Sequence, residues 1–230
     1  MKLLVSLALL ALVGVAIGEE YKMVCYYTNW AQYRAGRGKY FPENVDPKLC
    51  SHLIYSFAKL TGNKLAMFEW NDEQMYAKFQ ALKQQNPKVK TLIAVGGWNL
   101  GSGPFSAIAK SQANRMEFCT DTVRFLRKYG FDGLDFDWEY PANRGSPPAD
   151  KANFAKWTQE CRQVFEAEAK ETGKERLLLT AAVAAGPATV RTAYDVPMIA
   201  KYLDFINLME YDIHGQWESQ TGHQSALLPA

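Results

Sequence analysis

The sequence predicts an α/β protein, a (β/α)8 barrel of the TIM type of which about six strand-helix units are present. Short apolar runs alternate with amphipathic stretches along the chain, and this order implies parallel strands joined by crossover helices. The runs are almost continuously apolar, as strands covered on both faces should be. An open doubly wound sheet usually carries a glycine-rich turn after its first strand. Residues 25–30 contain no such turn, which favours the barrel.

The element boundaries follow from the spacing of apolar and β-branched residues. Strands are predicted at Met23–Thr28, His52–Ala58, Thr91–Val95, Gly133–Trp138, Leu177–Val183 and Asp204–Met209. Helices are predicted at Glu73–Gln85, Gln112–Lys128, Asp150–Lys170 and Val190–Tyr202. No low-complexity tract or linker-like change in composition divides the chain after its first residues, so we expect one domain over residues 19–230.

The composition is that of a globular protein. The chain has 230 residues, of which 48% are hydrophobic and 22% charged. There are 26 Lys and Arg against 24 Asp and Glu, and the basic residues are not clustered, so the sequence gives no reason to expect a nucleic-acid partner. No segment is long and apolar enough to span a membrane.

The N-terminal residues have the pattern of a secretory signal peptide. Lys2 precedes the apolar run Leu3–Val13, and small residues follow at positions 16–18. We therefore expect residues 1–18 to be removed, a mature chain that begins near Glu19, and a secreted, extracellular protein. A short buried strand or helix is the alternative for this segment.

The expected secretion favours disulfides between the cysteines. Cys25, Cys50, Cys119 and Cys161 would meet an oxidising compartment and lack the Cys-x-x-Cys spacing of a zinc site. We expect a structural disulfide, with Cys25 and Cys50 the favoured pair. The other two cysteines form a second bridge or remain buried thiols. No Asn-x-Ser/Thr site occurs, so N-glycosylation is not expected.

The fourth predicted strand carries a row of carboxylates. Asp135, Asp137 and Glu139 alternate with aromatic residues, so they share one face of the strand, about 6.6 Å apart. Two charges at that distance repel by about 2.5 kcal/mol at an effective dielectric constant near 20. The row should therefore hold at least one proton near neutral pH, as a general acid requires. Glu139 is the natural proton donor because it is the longest and lies at the carboxyl end of the strand.

Two other interpretations of the row are less favoured. A calcium loop of the EF-hand type needs glycine at its sixth position, and here that position is Tyr140. A solvated acidic strand would not alternate with large aromatic residues. No metal ion and no cofactor is therefore expected.

Aromatic residues and glycines mark the carboxyl ends of the predicted strands. Aromatic walls with a few polar groups suit a sugar polymer, because a pyranose ring offers an apolar face for stacking. Glycines at the end of the third strand, Gly96 and Gly97, would let the backbone approach a ligand closely. The aromatic residues at strand ends are Tyr26, Phe57, Trp98, Tyr140 and Tyr211.

Three motifs carry a resemblance to one enzyme family. Residues 132–139, Asp-Gly-Leu-Asp-Phe-Asp-Trp-Glu, resemble the Asp-x-x-Asp-x-Asp-x-Glu signature of glycoside hydrolase family 18, the chitinases. Ala94–Asn99 resembles the strand-three motif of that family, with Ala where many members have Ser, and Met209–Asp212 resembles its Met-x-Tyr-Asp motif. Residues 69–72 and 221–223 also recur in animal chitinases. The similarity covers residues 21 to about 225 and is greatest to the secreted chitotriosidase and acidic-chitinase group.

The resemblance implies catalytic roles that the strand pattern alone does not. From the residues alone, Asp137 would be the nucleophile of a retaining hydrolase with two carboxylates. The family instead uses the acetamido oxygen of the substrate as nucleophile. It implies that Glu139 protonates the leaving oxygen and later activates water, and that Asp137 stabilises the intermediate. Asp135 shares a proton with Asp137, while Tyr211 and Asp212 orient the acetamido group.

The resemblance also implies a substrate groove and an activity. We expect a monomeric, endo-acting chitinase that cleaves β-1,4-linked N-acetylglucosamine polymers and binds chitin or chitooligosaccharides. The alternatives are a non-catalytic chitin-binding lectin-like relative, which typically lacks the acid that Glu139 provides, an inactive truncated product, and an endo-β-N-acetylglucosaminidase. The implied substrate contacts are Tyr26, Phe57, Glu69, Trp70, Gly97, Trp98, Asn99, Tyr140 and Met209.

The number of strands points to a partial sequence. A complete barrel of this type has eight strands, and the sequence predicts six. The resemblance implies that strands seven and eight and a small α+β insertion are missing. An incomplete barrel would expose unpaired strand edges, so we expect residues 19–230 alone to be inactive or poorly folded.

Overall fold

The computed structural model describes residues 21–224. The predicted signal peptide and the predicted mature start at Glu19 lie outside the described residues. The strands are β1 Val24–Thr28, β2 His52–Thr61, β3 Lys64–Ala66, β4 Lys90–Gly96, β5 Gly133–Asp137, β6 Leu178–Ala184 and β7 Phe205–Met209. The helices are α1 Asp72–Gln85, α2 Gly103–Ala109, α3 Gln112–Tyr129, α4 Asp150–Thr172, α5 Pro187–Ala193 and α6 Val196–Tyr202. Short 3-10 helices span Asn29–Tyr33, Gly36–Gly38, Pro42–Asn44 and Trp98–Leu100.

The strands form one curved parallel sheet in the order β1-β2-β4-β5-β6-β7, and β3 is an antiparallel addition to β2. The curvature brings the two edge strands towards each other. Asn207 Nδ2 on β7 donates to the hydroxyl of Tyr26 on β1 at 2.9 Å, and the rings of His52 and Phe205 lie 5.0 Å apart. Within residues 21–224, β1 and β7 are not paired with each other. The predicted α/β barrel is thereby confirmed as a half-barrel of six parallel strands with helices outside it.

The face of the sheet towards the helices holds the main core. Phe136 of β5 is fully buried, and its ring lies 5.1 Å from that of Trp157 and 5.8 Å from that of Phe118. Trp138 stacks on Phe105 of α2 at 5.2 Å. Because aromatic side chains bury the largest apolar areas, this layer contributes most to the stability of the sheet.

A disulfide and an ion pair fasten α3 to α4. Cys119 and Cys161 are bonded, with 4.9 Å between their Cα atoms. Beside them the buried Arg115 guanidinium forms two hydrogen bonds to the Glu160 carboxylate, at 2.7 and 2.8 Å. The predicted disulfide between Cys25 and Cys50 is confirmed, and it ties β1 to the residues before β2. Of the two possibilities for Cys119 and Cys161, the second bridge is the one present.

One predicted helix is wrong. The single helix over Val190–Tyr202 is two helices, α5 and α6, which are separated at residues 194–195. A continuous helix would place Pro197 in its interior, where proline cannot donate the backbone hydrogen bond. The chain instead starts a new helix, in which the Asp195 side chain accepts from the Met198 N–H at 3.3 Å and Pro197 lies in the first turn. The short elements α2 and β3 were not predicted.

Candidate active site

The three acids of the predicted row lie at and just beyond the carboxyl end of β5. Asp135 is fully buried inside the curve of the sheet. Its carboxylate accepts hydrogen bonds from Tyr26 Oη at 2.8 Å, Thr180 Oγ1 at 2.6 Å and Asn207 Nδ2 at 3.2 Å. Burial raises the pKa of Asp135 to about 6, because the effect of desolvation exceeds that of the three donors, which favour the charged form.

Asp137 lies one layer further out and is only 6% exposed. Its Oδ1 atom is buried and accepts no hydrogen bond from the described residues. Burial raises the pKa of Asp137 to about 8, and the neighbouring charges of Glu139 and then Asp135 add to the effect. The row therefore holds a proton at neutral pH, as its spacing predicts.

Glu139 follows the strand and is partly exposed. Burial raises the pKa of its carboxyl group, while the Tyr140 hydroxyl and the Arg144 charge lower it and the charge of Asp212 raises it. A carboxyl group that is partly desolvated and reachable from solvent can give a proton to a ligand and take it back. The geometry therefore suits Glu139 as the acid of the row.

Arg144 was not predicted from the sequence. Its guanidinium carbon lies 3.4 Å from the centre of the Trp98 ring. The same group donates to the carbonyl oxygen of Glu139 at 2.8 Å and to that of Trp98 at 3.2 Å. Arg144 thus joins the backbone of Glu139 to the exposed Trp98 side chain, and it covers one face of that ring. No motif that we used marks an arginine five residues after the acid.

The glycines at the end of β4 have a different role from the one expected. A Cβ on Gly96 would lie 1.9 Å from the carbonyl oxygen of Asp137, and the Gly97 N–H donates to that same oxygen at 2.9 Å. A Cβ on Gly97 would lie 2.8 Å from Cε2 of Phe57. These glycines therefore allow close approach to Asp137 and to the Phe57 ring. Both also line the groove beside the acids, so their approach to a ligand stays a prediction.

An open groove lies beside the acids. Trp98, which is 57% exposed, and Phe57 line a cavity of about 320 Å³ together with Trp30 and Phe68, which were not predicted. The rings of Trp30 and Phe57 stack with 5.9 Å between their centres. Trp30 follows β1 directly, so its position after a strand end is the signal that would have identified it. Asn99 also lines the groove from the 3-10 helix that contains Trp98.

Tyr26 does not line the cavity beside Trp98 but the opening that also holds Met209 and Tyr211, and its contact with substrate stays a prediction. It sits within β1, and its hydroxyl bonds Asp135 and Asn207 inside the barrel. Burial raises the pKa of Tyr26 most, and the charge of Asp135 and the hydrogen bond to it add to the effect. Thr180 and Asn207 were also missed. Both occupy inward positions next to Asp135, which strand alternation and register could have indicated.

The other predicted contacts lie at the two ends of the site. Tyr211 and Asp212 follow β7, and burial and the charges of Asp137 and Glu139 raise the pKa of Tyr211. Met209 and Tyr211 line an opening of about 500 Å³ between β1 and β7. At the opposite end, the carboxylate of Glu69 accepts from Tyr33 Oη at 2.5 Å, and Trp70 is 82% exposed.

The described residues contain neither a cluster of metal ligands nor a membrane-spanning helix. Within residues 21–224 no group of three or more His, Cys, Asp or Glu side chains could hold a metal ion. In the same residues no helix has the length and apolar character needed to cross a bilayer.

A parallel α/β half-barrel with paired acids at the end of one strand and an aromatic groove beside them has the architecture of the glycoside hydrolases. The chain belongs to glycoside hydrolase family 18, since the model of the glycosyl hydrolases family 18 matches residues 22–229. Mouse chitotriosidase-1 is 48% identical over 218 residues, which are 95% of this chain and 47% of that protein.

Solved structures of chitinases and of a related pseudo-chitinase are also similar to this chain. A chitinase from Trichuris suis, TsES1, superposes with a TM-score of 0.83 at 47% identity, over 88% of this chain and 54% of that chain. Human YKL-39, described as a pseudo-chitinase with retained chitooligosaccharide binding, has a TM-score of 0.81 at 42% identity, over 87% of this chain and 54% of its own. The chain spans about half the length of these relatives.

Proposed function

We propose that this chain carries the acidic site of a secreted, endo-acting chitinase that hydrolyses β-1,4-linked N-acetylglucosamine polymers. The observation that supports it most directly is the row of acids on β5. Asp137 holds a proton near neutral pH, and Glu139 lies partly exposed next to it with a raised pKa. A glycosidase needs a carboxyl group that is still protonated when the leaving oxygen must accept a proton.

The proposed reaction is substrate-assisted. The acetamido oxygen of the sugar attacks the anomeric carbon as the glycosidic bond breaks, and Glu139 gives its proton to the leaving oxygen. Asp137 accepts a hydrogen bond from the acetamido N–H. Asp135 and Asp137 share one proton between their carboxyl groups. Tyr211 and Asp212 orient the acetamido group. Glu139 then removes a proton from water, which opens the cyclic intermediate and leaves the anomeric configuration retained.

The groove is the proposed place for the sugar chain. Exposed aromatic rings in an open trough can stack against pyranose faces. The similarity to a T. suis chitinase and to YKL-39, which binds chitooligosaccharides, supports this ligand class. The proposed contacts are Phe57, Glu69, Trp70, Trp98, Asn99, Tyr140 and Met209. Tyr26, Gly96 and Gly97 are further proposed contacts, because Gly96 and Gly97 line the groove and Tyr26 lines the opening beside Met209 and Tyr211.

Secretion and domain organisation are part of the proposal. Residues 1–18 would act as the signal peptide, and residues 19–230 would form the N-terminal part of a monomeric catalytic barrel. The two disulfides fit an extracellular site of action. Within residues 21–224 the facing edges of β1 and β7 are unpaired, which supports the view that the full activity belongs to a closed barrel.

A binding protein without turnover is the second candidate. YKL-39 is described as a pseudo-chitinase, and it is 42% identical to this chain. Against it stands the presence of the complete row of acids, Glu139 included. An inactive truncated product is the third candidate.

Assays of the wild type and of one variant separate the three candidates. Glu139→Gln removes the exchangeable carboxyl proton while keeping the shape of the side chain. In the full-length protein we expect it to lower turnover of chitooligosaccharides by about 10²- to 10⁴-fold and to leave binding nearly intact. Product formation and tryptophan fluorescence titration would measure the two effects. Glu166→Gln, on an exposed position of α4, makes the same chemical change away from the site and should alter neither.

The outcomes differ for each candidate. Turnover that survives Glu139→Gln would reject the role of the acid. Binding of chitooligosaccharides with no hydrolysis by the wild-type chain would favour the lectin-like alternative. Neither binding nor hydrolysis by the wild-type chain would favour the inactive product.

A further inference from the structure

A buried chain of amides links two loops at the end of the groove away from Glu139. Asn71 Nδ2 donates to Gln32 Oε1 at 2.7 Å, and Gln32 Nε2 donates to the carbonyl oxygen of Asn29 at 2.9 Å. Asn29 Nδ2 in turn donates to the carbonyl oxygen of Phe57 at 3.1 Å. Gln32 is only 5% exposed. We call Asn29, Gln32 and Asn71 the amide relay. Buried amides of this kind are costly to leave unpaired, so the relay fixes the spacing of its loops.

The second of these loops is held independently. The carboxylate of Asp72, at the start of α1, accepts from the backbone N–H groups of Phe68 and Glu69 at 2.7 and 2.8 Å. It also accepts from the hydroxyl of Tyr55 at 2.6 Å, inside the core. The loop before α1 is thus anchored to the sheet. The 3-10 helix Asn29–Tyr33 reaches this loop through Gln32 and through the Tyr33–Glu69 hydrogen bond.

Both loops carry exposed aromatic side chains. Trp30 lies in the 3-10 helix, two residues before Gln32, and Trp70 directly precedes Asn71 of the relay. Contacts order Trp30 by its distance from the acids, and Trp70 interacts with Tyr33 of the same 3-10 helix. The Gly97 backbone bonds Asp137, the Phe57 ring covers Gly97, and the Trp30 ring stacks on Phe57. Trp30 and Trp70 are therefore the rings that only a long sugar chain would reach.

We propose that Gln32 is a positioning residue that aligns Trp30 with Trp70 and so sets the affinity for long sugar chains. The inference rests on the proposed function, because it concerns the far end of the same groove. Gln32 is buried beneath the groove, so its effect passes through the two loops and not through contact with the sugar. Loss of the relay would let the two rings move relative to each other, and a polymer that must stack on both would bind less well.

The test compares two ligand lengths. Gln32→Met keeps the length of the side chain and removes both of its hydrogen bonds. Tryptophan fluorescence titration of the full chain with the chitin hexamer and with the dimer gives two dissociation constants. We expect the hexamer to bind about tenfold more weakly, the size of one buried hydrogen bond left unmade, and the dimer constant to change by less than about twofold. Gln84→Met, at an exposed position of α1, is the matched control and should change neither constant.

The possible outcomes separate this inference from the proposed function. An unchanged hexamer constant, or an equal loss for both ligands, would overturn the role of Gln32 while leaving the proposed function in place. A wild-type chain that binds neither ligand would overturn both. If Gln32→Met does not unfold cooperatively, Tyr33→Phe replaces it, because this change removes only the hydroxyl that bonds Glu69 and interacts with the Trp70 side chain at the surface. It should weaken hexamer binding by about threefold relative to the dimer, and an unchanged ratio would overturn the inference.

Discussion

The two faces of β5 are equally buried, but burial stabilises the side chains of one face and opposes the ionisation of those on the other. Phe136 and Asp135 are neighbours in sequence, and neither is exposed to solvent. Phe136 points to the helices and packs among aromatic rings, so its burial stabilises the fold. Asp135 points into the curve of the sheet, where burial opposes ionisation. A single strand therefore supplies stability from one set of alternate positions and chemistry from the other.

Asp135 and Asp137, which share the inner face of β5, have different surroundings. Three donors surround Asp135 and offset part of the cost of its burial, whereas Asp137 Oδ1 accepts none from the described residues. The pKa of Asp137 is accordingly the higher of the two, at about 8 against about 6. The less well solvated carboxyl is also the one nearer the groove, where a ligand could provide the missing partner.

The largest expected effect tests the contrast between the faces. Phe136→Ala would leave a cavity among Phe118, Phe154 and Trp157, and it should lower the free energy of unfolding by about 3–5 kcal/mol. Asp137→Asn, on the inner face, should cost about 1 kcal/mol or less at pH 5, where the carboxyl is already neutral. Urea denaturation at that pH measures both. Equal losses from the two substitutions would refute the contrast.

The outer face was the more predictable of the two. Apolar spacing located all six parallel strands, and period-two alternation placed Phe136 and Asp135 on opposite faces. These features depend on residues close together in sequence. The break between α5 and α6 was also local, but the helical spacing of the apolar residues concealed the effect of Pro197.

The inner face depends on partners distant in sequence, and there prediction was partial. The row of acids could be read from one strand. The Tyr26 hydroxyl that bonds Asp135 comes from 109 residues away, and the ring that covers Gly97 belongs to a different strand. Arg144 lies close in sequence to Glu139, but its contact with Trp98 spans 46 residues. Register and loop conformation decide such contacts, and a single sequence specifies neither.

A second effect, smaller per pH unit than the loss expected for Phe136→Ala, should appear in the dependence of stability on pH. An aspartate has an ordinary pKa of 3.8, and Asp137 in the folded chain has one of about 8. Between these values the folded state binds more protons than the unfolded state, so this group's contribution to stability falls as pH rises. The slope from a single group is at most about 1.4 kcal/mol per pH unit. Urea denaturation from pH 4 to pH 8 should show this decline, and Asp137→Asn should flatten it.

The matching control for this profile lies on the outer surface. Glu166→Gln removes a carboxyl that is exposed on α4, and it should leave the slope as in the wild type. A profile that Asp137→Asn does not change would show that the proton on the inner row is held elsewhere.

The smallest expected effect concerns the connection between the acid and the groove. The Arg144 charge lowers the pKa of Glu139, so Arg144→Gln should raise that pKa further. The effect should be modest because the arginine is exposed and water screens its charge. Carboxyl chemical shifts followed by NMR through a pH titration, with Glu139→Gln to assign the signal, would measure it without relying on turnover.

Arg144→Lys divides the role of the arginine into two parts. Lysine keeps the positive charge but loses the planar group that lies over Trp98 and bonds two carbonyl oxygens. If charge alone tunes Glu139, the lysine variant should titrate as the wild type does, whereas its Trp98 fluorescence should change. Arg124→Gln, at an exposed site on α3, should affect neither signal. A Glu139 pKa that stays constant through all three variants would mean that burial alone sets it. The acid and the groove would then be joined by packing without electrostatic coupling.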